Sequence, residues 1–567
     1  MAKKILCSII SVLLCGTIFF SSAGCRLTRD GEEIDDTRTQ LYVGIYNGGF
    51  GTDWWTEVKK EFEELYKNES FEKGKTGVQL MPKYGKEIYE PSVLEATMDT
   101  MDEDVFMIDR VTYHNYIQKD KLLDITDVAK QVVNGKPVHE RMLDELDQYY
   151  NIDGKYYALP YIVDVYQMVY DVDLWDEYGF WMNDEGEFQA DVGEGFKKSA
   201  GQDGQAGTYD DGLPVTYSQF FQLLQRIKQE SCVPFTWTSD YWNAYFQNFS
   251  EVIKGYYDGE DEFLKNYAAE LDTTGVNVTL MDLEKFKTLA PHTYGSFSEA
   301  PLKAISSEKN VTWHNIADLQ LQPSVYYTLC FAKDIMDESN GRNFTAFSVG
   351  SGESHMAAQE RFLRSVVEPQ VTDGRVAMLI DGGWWENEAS WVFEDMAKNY
   401  DEKYSMENRR FGIMPIPLPD DRETPYETKF VSTTGTMAMF AKKSTDVPEL
   451  AKKFLSFIYS YEGAEILTNN GFVLPFDYGI DVSDSDTLTY YKKQRIEVYN
   501  AKNLMFNVPN STIGKYNENL IYSGWNFGNS RGIMNAFRVF FEQKWTPEQY
   551  FLDTQEYYKN QDITGLD

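Results

Sequence analysis

Hydrophobic residues fall along this chain in short runs separated by glycine- and proline-marked turns, and the period of the pattern changes from run to run. Leu41 to Asn47 (LYVGIYN) is apolar enough for a buried strand, and Gly48, Gly49 and Gly51 follow it as a turn. Trp55, Val58, Phe62, Leu65 and Tyr66 then recur at helical spacing, which predicts an amphipathic helix. Strand, glycine turn and helix in that order open an α/β fold. Further strands are predicted at Val105 to Ile108 (VFMI), closed by Asp109 and Arg110, and over Ala158 to Tyr170, a long β-rich run with Pro160 near its start. Arg375 to Ile380 (RVAMLI) is another, ending in Asp381, Gly382, Gly383, Trp384 and Trp385, and Thr436 to Ala441 (TMAMFA) another still. Phe411 to Pro419 is extended and broken by prolines. Pro448 introduces a helix whose Leu450, Phe454, Phe457 and Ile458 share one face, and Thr546 to Asn560 is a final helix with the same device. Residues 183–213, rich in Gly, Asp and Gln, read as a surface insertion, and residues 251–320 as a second irregular region.

Composition narrows the function. The chain of 567 residues is 42% hydrophobic and 15% aromatic, which excludes disorder and leaves a sizeable core. At ~150 residues per domain it holds about two to four domains or one large bilobed unit. Its 53 Lys and Arg stand against 90 Asp and Glu, a formal charge of −37. That balance excludes a phosphate backbone as partner, because nucleic-acid affinity rests on Lys and Arg neutralising phosphates. An anionic membrane surface repels such a body too, so attachment to a membrane needs another device.

The N-terminus supplies one. Lys3 and Lys4 precede an apolar stretch from Ile5 to Phe20, too short to span a bilayer comfortably, and the small residues Ser21 to Gly24 lead to Cys25. This segment resembles a bacterial lipoprotein signal, cleaved before a Cys that carries diacylglycerol. The reading makes residues 1–24 a signal peptide, Cys25 the lipidated residue, and 25–40 a polar, flexible tether. An exported protein held on the outer face of the cytoplasmic membrane is expected. Of the remaining cysteines, Cys7 and Cys15 leave with the signal, and Cys232 and Cys330 are equally compatible with one bridge or with two buried thiols.

Five passages in order carry a wider resemblance: DVFMIDR with LLDITD downstream, Asp153 to Gly179 (DGKYYALPYIVDVYQMVYDVDLWDEYG), Gly374 to Glu388 (GRVAMLIDGGWWENE), FGIMPIPLPD, and Gly435 to Leu467. In these the chain resembles the extracellular carbohydrate-binding proteins of ATP-driven importers, the family that includes the maltose-binding protein. The resemblance implies a two-lobed α/β fold of the periplasmic-binding-protein type, with a hinge and a ligand cleft between the lobes. It places lobe 1 at residues 41–160 plus 432–475 and lobe 2 at 161–431 plus 476–567. It also implies a monomer that captures an oligosaccharide and delivers it to the permease subunits of an ABC importer, with no cofactor and no bond made or broken.

A sugar presents C–H faces and a rim of hydroxyls, so its site needs flat aromatic platforms and a few carboxylates or amides. Such residues stand at predicted strand ends, where α/β sheets place ligands: Asn47 and Trp54 by the glycine turn, Asp109, Tyr161 and Asp164 on the crossing run, and Trp384, Trp385 and Glu386. Asp109 and Trp384 fall where the family pattern puts a sugar-contacting Asp and a stacking Trp. Trp55 starts the helical stripe and so faces the core, which leaves Trp54 for the cleft. Trp242 and Trp525 are further stacking candidates. The five His show no metal-binding spacing, and Glu69 stands where a phosphate loop ending in Gly74, Lys75 and Thr76 needs Gly, so neither a catalytic metal nor a nucleotide is expected. Two other readings stay open: a surface-anchored glycoside hydrolase working through paired carboxylates, and a peptide or polyamine receptor of the same architecture.

Overall fold

The computed structural model describes residues 28–560 apart from 30–31, 86–88, 90, 110, 239–241, 271–274, 337–352, 372–373, 428, 435–436, 501–502, 517–527, 533–538 and 541–543. Two sheets organise it. The first has five strands in the order Val78–Gly85, Thr39–Tyr46, Val105–Ile108, Ala438–Ala441 and Leu159–Pro160. The first three run parallel, and Ala438–Ala441 is antiparallel to both of its neighbours. All four residues of Val105–Ile108 and of Ala438–Ala441 are buried, as expected of central strands covered on both faces.

Helices cover this sheet with the faces the sequence pattern selects. Asp53–Leu65 buries Trp54, Trp55, Val58 and Phe62, while Leu65, at 57% exposure, lies past the edge of what the helix covers. Pro448–Ile458 starts on its proline and buries Leu450, Phe454, Phe457 and Ile458, and its Phe454 ring meets Phe62 at 5.4 Å. The final helix, Pro547–Lys559, is capped by the Thr546 side chain in a reciprocal capping box with Gln549.

The second sheet runs Val233–Thr236, Val376–Asp381, Gln167–Asp171, Phe411–Met414. Its first pair is parallel and the other two are antiparallel. The run from Ala158 to Tyr170, read as one strand, therefore serves two sheets. Leu159–Pro160 ends in the first and Gln167–Asp171 begins in the second. Between them residues 161–166 stay buried while losing their ladder, and their backbone is satisfied piecemeal. Tyr161 N donates to Met437 O (3.3 Å), Val163 N to Val473 O (2.8 Å) and Asp164 N to Thr434 Oγ1 (2.8 Å). Two further connections thus run beside the first: one returns through Phe430–Ser432, paired in parallel with Leu504–Phe506, and the other passes through Val473.

The region 251–320 is not irregular. It contains the C-terminal part of the helix Trp242–Asp258 and a six-pair antiparallel ladder of Val276–Met281 with Ser306–Val311. A small core of its own packs Val278, Leu280 and Val311 against Trp313, Ile316 and Leu319. The second strand is SSEKNV with a solvated face, so it carries no apolar alternation from which a strand could be read. Residues 183–213 are mostly turns, as expected, with one four-residue helix at Gln189–Val192. Gln202 pins them down through Nε2 to Ile416 O (2.8 Å).

Cys232 and Cys330 are separate, free and buried. Among the described residues no helix is long and apolar enough to cross a membrane.

Candidate functional site

Strand ends of the two sheets face one another. From the first sheet come the turn after Thr39–Tyr46 and Asp109 after Val105–Ile108; from the second comes Gly382–Glu388 after Val376–Asp381. At their junction lies Trp384, half-buried. Its indole lies on the backbone of Gly382, where a Cβ would sit 2.3 Å from Cη2, so only glycine lets the ring lie flat there. Three rings stand nearly perpendicular around it: Tyr166 at 5.2 Å and 86°, Phe50 at 5.7 Å and 78°, and Tyr245 at 6.5 Å and 90°. Tyr166 and Tyr245 also meet each other at 5.3 Å. The result is an aromatic box with the indole as one face: Trp384 follows the second sheet's Val376–Asp381, Tyr166 ends the segment between the sheets, Tyr245 stands on the helix Trp242–Asp258, and Phe50 comes from the turn of the first sheet.

Polar groups ring the box. Asp109 is half-buried and close enough to Tyr161 and Tyr166 to reinforce the upward push that burial gives both phenols. The Tyr161 hydroxyl is buried with no hydrogen-bond partner among the described residues. Asp381, the last residue of its strand, accepts from Gln359 Nε2 (3.0 Å) and from Gly382 N (2.7 Å). Burial, with the Glu388 carboxylate adding to it, pushes Asp381 up to about 7. Gln359 Nε2 also donates to Glu388 Oε2 (2.9 Å), and His355 Nε2 lies 3.5 Å from the other oxygen of Glu388. One amide thus bridges two carboxyl groups that repel each other when both are ionised.

The other sequence candidates sort by where their side chains go. Asn47 is exposed at the rim, its backbone N–H held by Gly85 O at 3.3 Å. Trp54 is buried, donating Nε1–H to Gly51 O (3.2 Å) and meeting Phe472 at 5.8 Å, so it supports the turn from beneath instead of facing the cleft. Trp385 is core, packed on Phe411 (5.0 Å), Tyr491 (5.4 Å) and Phe362 (5.8 Å). Glu386 is buried beside Thr489, whose hydroxyl donates to it at 2.8 Å, and burial pushes it up to about 7. Asp164 Oδ1 accepts from Val165 N (2.7 Å), Gly383 N (2.9 Å) and Arg495 Nη2 (3.3 Å), which joins the crossing segment to the strand end beneath Trp384. Trp242 opens the helix Trp242–Asp258 with its side chain outside the described residues, and Cys25 and Trp525 lie outside them altogether.

Phe50, Tyr245, His355, Gln359, Asn387 and Glu388 belong to this site and were not singled out from the sequence. Phe50 and Glu388 stand in passages that carried a signal, the glycine turn and WWENE. Tyr245, His355 and Gln359 come from helices more than a hundred residues from the glycine turn, and only folding brings them together.

No protein-family model and no curated protein matches the sequence. In structure the chain is similar to the apo form of RafE from Streptococcus pneumoniae, with a TM-score of 0.51 and 13% identity over 93% of this chain and 99% of that one. It is also similar to the SBP RafE in complex with raffinose, with a TM-score of 0.50 and 13% identity over 91% of this chain and 98% of that one. At such identity the likeness is one of architecture: the chain has the two-lobed α/β fold of the solute-binding proteins, with the Trp384 box lying where strand ends from its two sheets meet.

Proposed function

We propose that this chain is an exported receptor that captures a carbohydrate between its two lobes and presents it to an ABC importer, without making or breaking a bond. The observation that carries the reading is the indole of Trp384, laid flat on Gly382, walled by Tyr166, Tyr245 and Phe50 and flanked by Asp109 and Asp381. Aromatic faces suit the C–H faces of a sugar ring, and carboxylates at the edge suit its hydroxyls. The raffinose complex of a protein with this fold supports the ligand class. A large body with two added regions, 183–213 and 251–320, favours a cleft roomy enough for an oligosaccharide. Lobe 1 is drawn at 41–160 plus 432–475 and lobe 2 at 161–431 plus 476–567, in keeping with the strand membership of the two sheets. Diacylglycerol on Cys25, with residues 25–40 as tether, anchors the receptor at the membrane.

Calorimetric titration of the purified chain with malto-, xylo-, manno-, galacto- and raffinose-type oligosaccharides, with the same mixtures assayed for shorter products, tests this. One class binding with a Kd of about 10 μM or below and no turnover is the expected result. Release of shorter sugars assigns the cleft to hydrolysis instead, and silence across the panel removes carbohydrate as the ligand class. Mass measurement on the native protein tests the lipid at Cys25 separately.

A further inference from the structure

A cavity of about 340 Å³ lies where the chain leaves the helix Tyr461–Asn469 and comes back through the helix Tyr490–Val498. The segment between them lines the space instead of filling it. The floor is apolar, made by the buried side chains of Phe472, Val473, Phe476, Val482 and Tyr499. Each of its rings is held by a residue outside the cavity. Phe472 meets Trp54 at 5.8 Å, Phe476 meets Tyr459 at 5.4 Å, and Tyr499 meets Phe430 at 5.0 Å while its hydroxyl donates to Gln167 Oε1. Tyr478, on the wall, donates its hydroxyl to Tyr459 O at 2.7 Å. Rings anchored in this way do not collapse into the space, so the cavity is preformed. None of Trp384, Tyr166, Tyr245 and Phe50 lines it.

The mouth has the opposite character. Asp477, Asp481 and Glu497 stand exposed around it, and among the described residues no Lys, Arg or His belongs to the lining. Gly479 N donates to Asp477 Oδ1 (3.0 Å) and Ser483 N to Asp481 Oδ1 (2.9 Å), and the Ser483 bonds hold the Asp481 carboxyl below the ordinary range. Arg141 stands close by, with Nη1 on the Asp477 carbonyl at 2.7 Å and its guanidinium 5.1 Å from the Tyr478 ring centre. Three carboxylates against that one guanidinium leave the mouth negative. An anion is repelled there, and a neutral molecule gains the apolar floor alone. A cation with an apolar body gains the floor, the aromatic faces and the carboxylates together. We infer that this cavity is a second ligand site, separate from the Trp384 box, for a small organic ammonium ion with an apolar body. The site stands whether or not the box takes a sugar.

Calorimetric titration of the purified full chain with phenethylammonium and benzyltrimethylammonium tests this, with 2-phenylethanol and phenylacetate as the neutral and anionic probes of matched size. The expected result is ammonium binding with a Kd of about 0.1 mM, roughly tenfold tighter than the alcohol, and no binding of phenylacetate. Silence from both ammonium probes, or an alcohol that binds as tightly as they do, overturns the proposal. Two variants then place the binding. Asp477→Asn, Asp481→Asn and Glu497→Gln combined change only exposed side chains, and should weaken the ammonium ions about tenfold while leaving the alcohol as it was. Ile496→Trp fills the cavity from a half-buried lining position and should abolish binding of both. An unchanged ammonium affinity in the first variant removes the carboxylates from recognition, and in the second it removes the cavity; either outcome overturns the proposal. Circular dichroism melts of both variants separate loss of the site from loss of the fold.

Discussion

Neighbouring residues in the sequence have opposite fates at this site, and the reason is geometric. Trp384 and Trp385 are consecutive at the start of a helical turn, so their side chains leave in different directions; one lies over Gly382 in the aromatic box and the other enters the core between Phe411 and Tyr491. The sequence showed that one of each tryptophan pair belongs inside, but for Trp54 and Trp55 both do, because Phe472 arrives from far along the chain to cover Trp54. Asp164 behaves as a joint. Its carboxylate meets Arg495, with side-chain exposures of 1% and 5%, and also holds Gly383 N. Asp164→Asn leaves the guanidinium buried without its counter-charge and is expected to lower stability by about 3–5 kcal/mol, read as a lower urea midpoint at unchanged slope; a shift below about 1 kcal/mol would show that Arg495 finds another partner. The cysteines give a second residue-scale expectation. Burial pushes Cys232 up to about 11 and raises Cys330 as well, so an aromatic disulfide reagent at pH 8 should find neither thiol in the native chain and both after denaturation. Rapid native labelling of either would contradict the buried placement.

At the scale of elements, the strand Val376–Asp381 ends in a carboxyl that prefers its proton. Asp381 titrates near 7 in the fold against 3.8 for an ordinary Asp, because burial and the neighbouring Glu388 both disfavour the anion. The folded chain therefore binds more protons than the unfolded one between about pH 4 and 7, and this group's contribution to stability declines as pH rises through that window. The groups that face it are Glu388 and His355, with Tyr166 and Tyr245 on the box side. Asp381→Asn removes the titration, so the gap in urea midpoint between variant and parent should move in the variant's favour from pH 5 to pH 8; a constant gap would mean Asp381 is ionised throughout. Legibility at this scale followed periodicity. Helices with a clear apolar face, such as Pro448–Ile458, and central strands such as Val105–Ile108 were readable because their burial writes a pattern into the sequence. The Ser306–Val311 strand was not, since a solvated edge imposes no such pattern, and the crossing of the 158–170 run between sheets came from the family resemblance and not from periodicity, since both halves are equally buried and only their partners differ.

For the whole molecule, a charge of −37 spread over a two-lobed body makes self-repulsion a measurable load. Raising NaCl from about 10 to 200 mM should raise the thermal midpoint, because the Debye length falls to below ~10 Å and screens charges on the facing lobes; a flat response would mean that local ion pairs already neutralise the surface field. A sugar that closes the lobes should add about 2.7 kcal/mol at a hundred times its Kd and raise the midpoint further, in Trp384→Ala not at all. The α/β class, the strand and helix faces, the exclusion of nucleic acid and the strand-end location of Trp384 and Asp109 all follow from the order, period and charge of residues along the chain, since each is set by local spacing or by composition. Which tryptophan stays half-buried, that Asp164 is consumed by Arg495, that Cys232 and Cys330 stay apart, and that Phe50, Tyr245 and Gln359 gather around Trp384 and Asp381 are decisions of the tertiary structure alone. Each depends on contacts between separate elements, 22 residues apart for Gln359 and Asp381 and 331 for Asp164 and Arg495, and nothing in local sequence constrains which side chain from another element fills a given space.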